Sequence, residues 1–204
     1  MKRNPTTTIA NSSHWVFDLD GTLTVAVHDF ALIRRELEIP DGSDILGHLD
    51  SLPVHRAQPL HDRLQDIEMK LAGMTHAAEG ALALLQYLQD NGTKLGILTR
   101  NTRENALRTL ELVGLDRFFD PVHVLGRDEA LPKPDPDGIY RLAEIWGIDP
   151  VATVMVGDYQ YDLQSGRSAG ALTVHVDTTR SFRWPELADV SVGTLEELIE
   201  WITT

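Results

Sequence analysis

Five short apolar segments, each broken off by polar residues and separated by longer stretches, constrain this chain most. They lie at 15–17, 94–99, 122–125, 153–157 and 172–176. Runs this short and this apolar suit strands buried on both faces of a parallel sheet. Most of the intervening stretches carry helical periodicity: 77–90, 103–113, 137–146 and 162–169, with 194–202 closing the chain as a further helix. Four of them stop at or just before a glycine (Gly92, Gly114, Gly147, Gly170), the usual C-terminal punctuation of a helix. The fold class expected is therefore α/β, a mostly parallel sheet of about five strands between helical layers.

The segment 24–76 breaks this rhythm. Phe30, Ile33, Leu37 and Ile39 give one amphipathic helix, a broken stretch around Pro40 and Pro53 follows, and 56–72 reads as a second helix. With no strand-like alternation, it is expected to be a small all-helical insertion after the first strand. Residues 1–14 read as a flexible polar tail, leaving 15–23 and 77–204 for the core.

In open α/β sheets ligands bind beyond the carboxyl ends of the strands. Asp18 and Asp20 follow the first strand, Thr99 ends the second, Lys133 lies in the loop after the third, and Asp158 ends the fourth. At i,i+2, Asp18 and Asp20 leave extended backbone on one side, and Gly21 permits a tight turn able to cradle an anion. Asp-x-Asp-Gly is equally ordinary turn chemistry, and Asp158 with Asp162 at i,i+4 is equally ordinary helix capping. Their conjunction is what points to a site. Several carboxylates at one sheet edge repel unless a cation sits among them, and an oxygen-only donor set suits Mg²⁺ beside a phosphate. Thr99 would donate to a phosphate oxygen and Lys133 would supply a point charge.

These residues form four motifs: Phe17-Asp18-Leu19-Asp20-Gly21-Thr22-Leu23, Ile97-Leu98-Thr99-Arg100-Asn101, Lys133-Pro134-Asp135-Pro136 and Gly157-Asp158-Tyr159-Gln160-Tyr161-Asp162. In this order and spacing the chain resembles the haloacid dehalogenase-like superfamily, in particular its phosphoglycolate phosphatase and β-phosphoglucomutase type. The resemblance implies a Rossmann-like three-layer core with a helical cap at 24–76. It implies Asp18 as nucleophile, forming an aspartyl-phosphate, and Asp20 as general acid and base. Mg²⁺ would be held by Asp18, the Asp20 carbonyl and Asp158, with Asp162 acting behind them. Thr99 and Lys133 would clamp phosphate, with Gly21, Thr22 and Arg100 as further substrate contacts. Arg100 departs from the asparagine common after the threonine, and Gly166 from a common alanine.

The expected activity is hydrolysis of a small phosphomonoester, a phosphorylated metabolite. A phosphomutase or a non-catalytic phosphate-binding protein are the alternatives, the first disfavoured by a short cap and the second by an intact set of site residues. A dehalogenase would not need Asp20-Gly21-Thr22. The 204 residues carry a net charge of -13 and no cysteine, which argues against nucleic-acid binding and excludes thiolate chemistry and disulfides. No apolar run reaches membrane-spanning length. A cytoplasmic monomer or weak homodimer without membrane partners is the expectation. The histidines crowded into the cap (His28, His48, His55, His61, His76) fit no metal template, and Arg34, Arg35 and Arg56 read as a solvated helix face. Tyr159 and Tyr161 read as loop packing.

Overall fold

The computed structural model describes residues 9–203. Its elements run β1 (His14–Phe17), α1 (Phe30–Glu36), α2 (Ile45–Asp50), α3 (Val54–Ala72), α4 (Ala81–Asp90), β2 (Lys94–Leu98), α5 (Arg103–Val113) and β3 (Val124–Leu125). They continue with α6 (Asp137–Trp146), β4 (Thr153–Gly157), α7 (Gln160–Ala169), β5 (Leu172–Val176), β6 (Val190–Val192) and α8 (Leu195–Thr203). The strands form one parallel six-stranded sheet ordered β3-β2-β1-β4-β5-β6.

Alternation along the central strands divides the core. Trp15, Phe17, Ile97, Val154, Val156 and Val174 face Leu84, Leu85, Leu110 and Leu198 on one side. Val16, Leu98 and Met155 face Ile139 and Leu142 on the other. Because both faces of β1, β2 and β4 are covered, these central strands carry no polar alternation, and apolar runs alone were enough to locate them. Gly166 explains itself here: a Cβ on it would lie 2.6 Å from the Thr173 methyl, so the bare backbone lets α7 sit close on the sheet.

Three boundaries differ from the sequence expectation. Residues 1–8 of the expected tail lie outside the described residues, but Ile9 is fully buried in the core and the Trp15 indole donates to the Ser12 carbonyl. Order therefore begins well before residue 15. The third strand is cut to two residues because Pro121–His123 forms a 3-10 turn, capped by the Asp120 carboxylate. A sixth strand, β6, joins the edge; three residues are too short to announce themselves by periodicity.

Residues 30–72 hold a separate apolar cluster built from Ile33, Leu37, Ile39, Leu46, Leu49 and Leu64. The two connections joining it to the sheet lie side by side: the Val25 amide donates to the His76 carbonyl, and Thr24 bridges to Ala77. Gly80, in a left-handed conformation against the start of α8, delays α4 to Ala81.

Candidate active site

The sheet order reverses at β1. From there the chain builds β2 and β3 on one side, then β4, β5 and β6 on the other, which makes the β1/β4 boundary a topological switch point. Phe17 pairs with Val156, so the residues just past the ends of these strands, Asp18 and Asp158, come out side by side. A cavity of about 310 Å³ opens over them, roofed by α1, α2 and α3.

Asp18 is buried at its floor, and the Lys133 ammonium donates to its Oδ1 at 2.5 Å and contacts Asp162 Oδ1 at 2.6 Å. Asp162 is engaged on both oxygens, since Oδ2 accepts the Tyr159 amide at the start of α7. Oxygens of Asp18, Asp158 and Asp162 lie within 4.8 Å of one another. Burial drives the Asp18 carboxyl well above its ordinary range; Lys133 opposes this, while Asp162, Asp158 and Asp20 add to it. Burial, reinforced by Asp162, pushes Asp158 to about 7. Lys133 goes the other way: burial would lower it, but Asp162 and Asp18 hold it above the usual lysine range. One ammonium among three carboxylates leaves excess negative charge in a dry site. An oxygen-only donor set with that excess fits a hard divalent cation.

Asp20 is half-exposed and lines the cavity, as do Thr99 and Arg100. The Thr99 hydroxyl accepts the Asn101 amide at 3.1 Å. Gly21 and Thr22, expected as substrate contacts, stand behind the carboxylates instead. Thr22 is fully buried, with its hydroxyl 3.4 Å from Asp158 Oδ1. Gly21 has a φ of 98°, and a Cβ there would lie 2.5 Å from Asp158 Oδ2. Gly21→Ala is therefore expected to strain the turn and displace Asp158, costing about 1–3 kcal/mol of stability and weakening divalent-cation binding. Thermal melts and cation titration calorimetry check both.

Two ion pairs tie the helical segment 30–72 to the loops after β2 and β3, and neither was anticipated. Arg100 meets Asp44 at 2.7 Å while lying over the Tyr161 ring at 5.0 Å. Arg127 donates to both oxygens of buried Glu68 at 3.0 Å and, through its own amide, to the Asn101 carbonyl. Burial raises Glu68 to about 7 despite Arg127. Glu68 stands in line with Leu64 and Leu71 on the packed face of α3, and an acid on an apolar stripe was the available signal. Arg34 anchors on the Ser43 carbonyl and reaches the cavity wall, whereas Arg35 and Arg56 are exposed.

Beyond Asp158 an aromatic group forms. Tyr159 makes edge contacts with Tyr161 and Trp184 at 5.2 and 5.3 Å, and buried His175 touches Trp184 and Phe182. The loop carrying Phe182 and Trp184 is pinned by Asp177, which accepts from the Thr179 and Phe182 amides and the Thr179 and Ser181 hydroxyls. These bonds outweigh desolvation and hold Asp177 below the usual carboxylate range. A depressed folded-state value stabilises above the unfolded pKa and is lost as pH falls. Asp177→Ala is thus expected to cost about 1–2 kcal/mol at pH 7, with the difference from wild type shrinking in acid; urea denaturation at both pH values measures it.

With this geometry described, comparison with known proteins places it. Residues 40–176 match the family profile for haloacid dehalogenase-like hydrolase. The chain belongs to the haloacid dehalogenase-like hydrolases. A Saccharomyces cerevisiae protein described as an uncharacterized hydrolase is 35% identical, covering 92% of this chain and 89% of its own. The pyrophosphatase PpaX of Bacillus pumilus is 41% identical over 79% of this chain and 81% of its own. Among solved structures, a hydrolase from Pseudomonas syringae superposes with a TM-score of 0.77 at 23% identity, covering 94% of this chain and 98% of that one. No helix among the described residues is long and apolar enough to cross a membrane.

Proposed function

We propose that this hydrolase is a Mg²⁺-dependent phosphatase acting on a small phosphorylated metabolite through an aspartyl-phosphate on Asp18. The observation that carries this reading is the state of Asp18: buried, held on Oδ1 by Lys133, and set beside a second, half-exposed carboxylate on Asp20. Names among its relatives support the substrate class, including the PpaX pyrophosphatase and a phosphoglycolate phosphatase of Mesorhizobium japonicum at 29% identity.

In this reading Lys133 and Thr99 orient the phosphoryl group, and the second oxygen of Asp18 attacks phosphorus as the ester P–O bond breaks. Asp20 gives its proton to the departing alkoxide. It then takes a proton from water, whose oxygen attacks phosphorus, releasing inorganic phosphate and restoring the Asp18 carboxylate. Asp18, the Asp20 carbonyl and Asp158 would hold Mg²⁺, with Asp162 behind them. When bound, the cation neutralises charge on phosphate and carboxylates so that two anions can approach. The helical segment 24–76 acts as the cap, and 15–23 with 77–204 as the core.

The test is phosphate release from a panel of phosphomonoesters with and without Mg²⁺. Removing the metal with a chelator is expected to abolish release, and adding Mg²⁺ back to restore it. Release indifferent to chelation contradicts the metal assignment, and silence across the panel contradicts the phosphatase.

A further inference from the structure

The leaving-group end of the cavity has a chemistry unlike its phosphate end. Six carboxylates line the cavity, the four already described plus Asp44 and Glu68, against the cations Lys133, Arg100 and Arg34. Arg100 is already paired with Asp44. Glu68 is likewise paired with Arg127, so a substrate's second anionic group would find these two guanidiniums already engaged by carboxylates.

What the mouth offers instead is aromatic surface from both sides. On the cap, Phe30 is 55% exposed and its ring stacks on His28 at 5.6 Å, 14° from parallel. On the core, Tyr159 is 48% exposed and braced by Tyr161 and Trp184. Phe30, His28, Tyr159 and Tyr161 all line the cavity. Large rings left open to water yet held by neighbouring rings are organised in advance to stack on a flat partner. The cavity already holds one planar group in this way, the Arg100 guanidinium over Tyr161. A volume of about 310 Å³ also leaves room well beyond a phosphoryl group.

We propose that the alcohol portion of the substrate carries an uncharged planar ring, aromatic or heteroaromatic, that stacks against Phe30 and Tyr159 while its phosphate sits at Asp18. The inference rests on the phosphatase reading above. Phe30 and Tyr159 are then the residues that set specificity.

The test compares esters that carry phosphate on the same ribose 5′ oxygen, with one ester bearing a second anionic group beside them. Adenosine and uridine 5′-monophosphates differ from ribose 5-phosphate by the ring alone, and phosphoglycolate supplies the second-anion case. For the wild-type protein with Mg²⁺, kcat/KM for at least one nucleotide is expected to exceed that for ribose 5-phosphate by roughly tenfold or more, the scale of one base–aromatic stack. Phosphoglycolate is expected to fall below both. In Phe30→Ala the nucleotide-to-ribose ratio should drop towards one, mainly through KM, and Phe30→Tyr should keep it. A wild-type ratio near one, a ratio unchanged in Phe30→Ala, or phosphoglycolate as the preferred ester overturns the inference while leaving the phosphatase standing. No phosphate from any of the four, or from the wider panel, removes both.

Discussion

Lys133→Met is expected to lower kcat/KM by about 10²–10³-fold, the usual loss when one preorganised electrostatic partner is removed from an active site. The same change is expected to destabilise the fold by about 3–5 kcal/mol, because it leaves buried carboxylates without their counter-ion. Both effects come from one geometry. The ammonium is buried between Asp18 and Asp162 at 2.5 and 2.6 Å, so it compensates two charges at once. Since Lys133 is held above the ordinary lysine value, its own ionisation contributes stability that is present below the unfolded lysine range and lost in strong alkali, for as long as Asp18 and Asp162 stay ionised to pair with it. The double variant Lys133→Met with Asp162→Asn removes one charge of each sign and is expected to recover much of the stability but none of the activity. Denaturation curves and steady-state kinetics on the two variants separate these effects. Unchanged kinetics in Lys133→Met would remove the lysine from the site.

Asp18→Asn should behave differently. The amide keeps the shape of the carboxyl while taking one negative charge from a crowded cluster, so the metal-free protein is expected to melt no lower than wild type. Its activity should fall by roughly 10⁴–10⁶-fold, the range seen when the nucleophile of a covalent enzyme is removed. Lost activity with retained stability distinguishes a chemical role from a structural one, which Lys133→Met alone cannot do.

The fold was readable because its strands are buried on both faces and its helices end in glycine. The polar residues that interrupt apolar runs were readable for the same reason: Asp18, Thr99 and Asp158 stand where a covered sheet has no other use for them. Gly21 and Thr22 show the limit of that reasoning. Their motif places them at the site, but only the turn geometry shows that they support Asp158 rather than line the cavity. The pairs Arg100–Asp44 and Arg127–Glu68 join residues 56 and 59 positions apart, a separation at which periodicity carries no information. The aromatic mouth is similar. Phe30 reads as part of an amphipathic helix and Tyr159 as loop packing until α1 is set over the ends of the strands.

The central claim is that phosphate passes through Asp18. The most direct measurement is a single turnover of a hydrolysed ester with Mg²⁺ on Asp20→Asn, where breakdown of the intermediate should be slowed, followed by acid quenching and peptide mass analysis. The account predicts one phosphoryl group on the peptide containing Asp18, absent when Asp18→Asn is added. Turnover that releases phosphate without ever marking that peptide, or marking that survives Asp18→Asn, would contradict it.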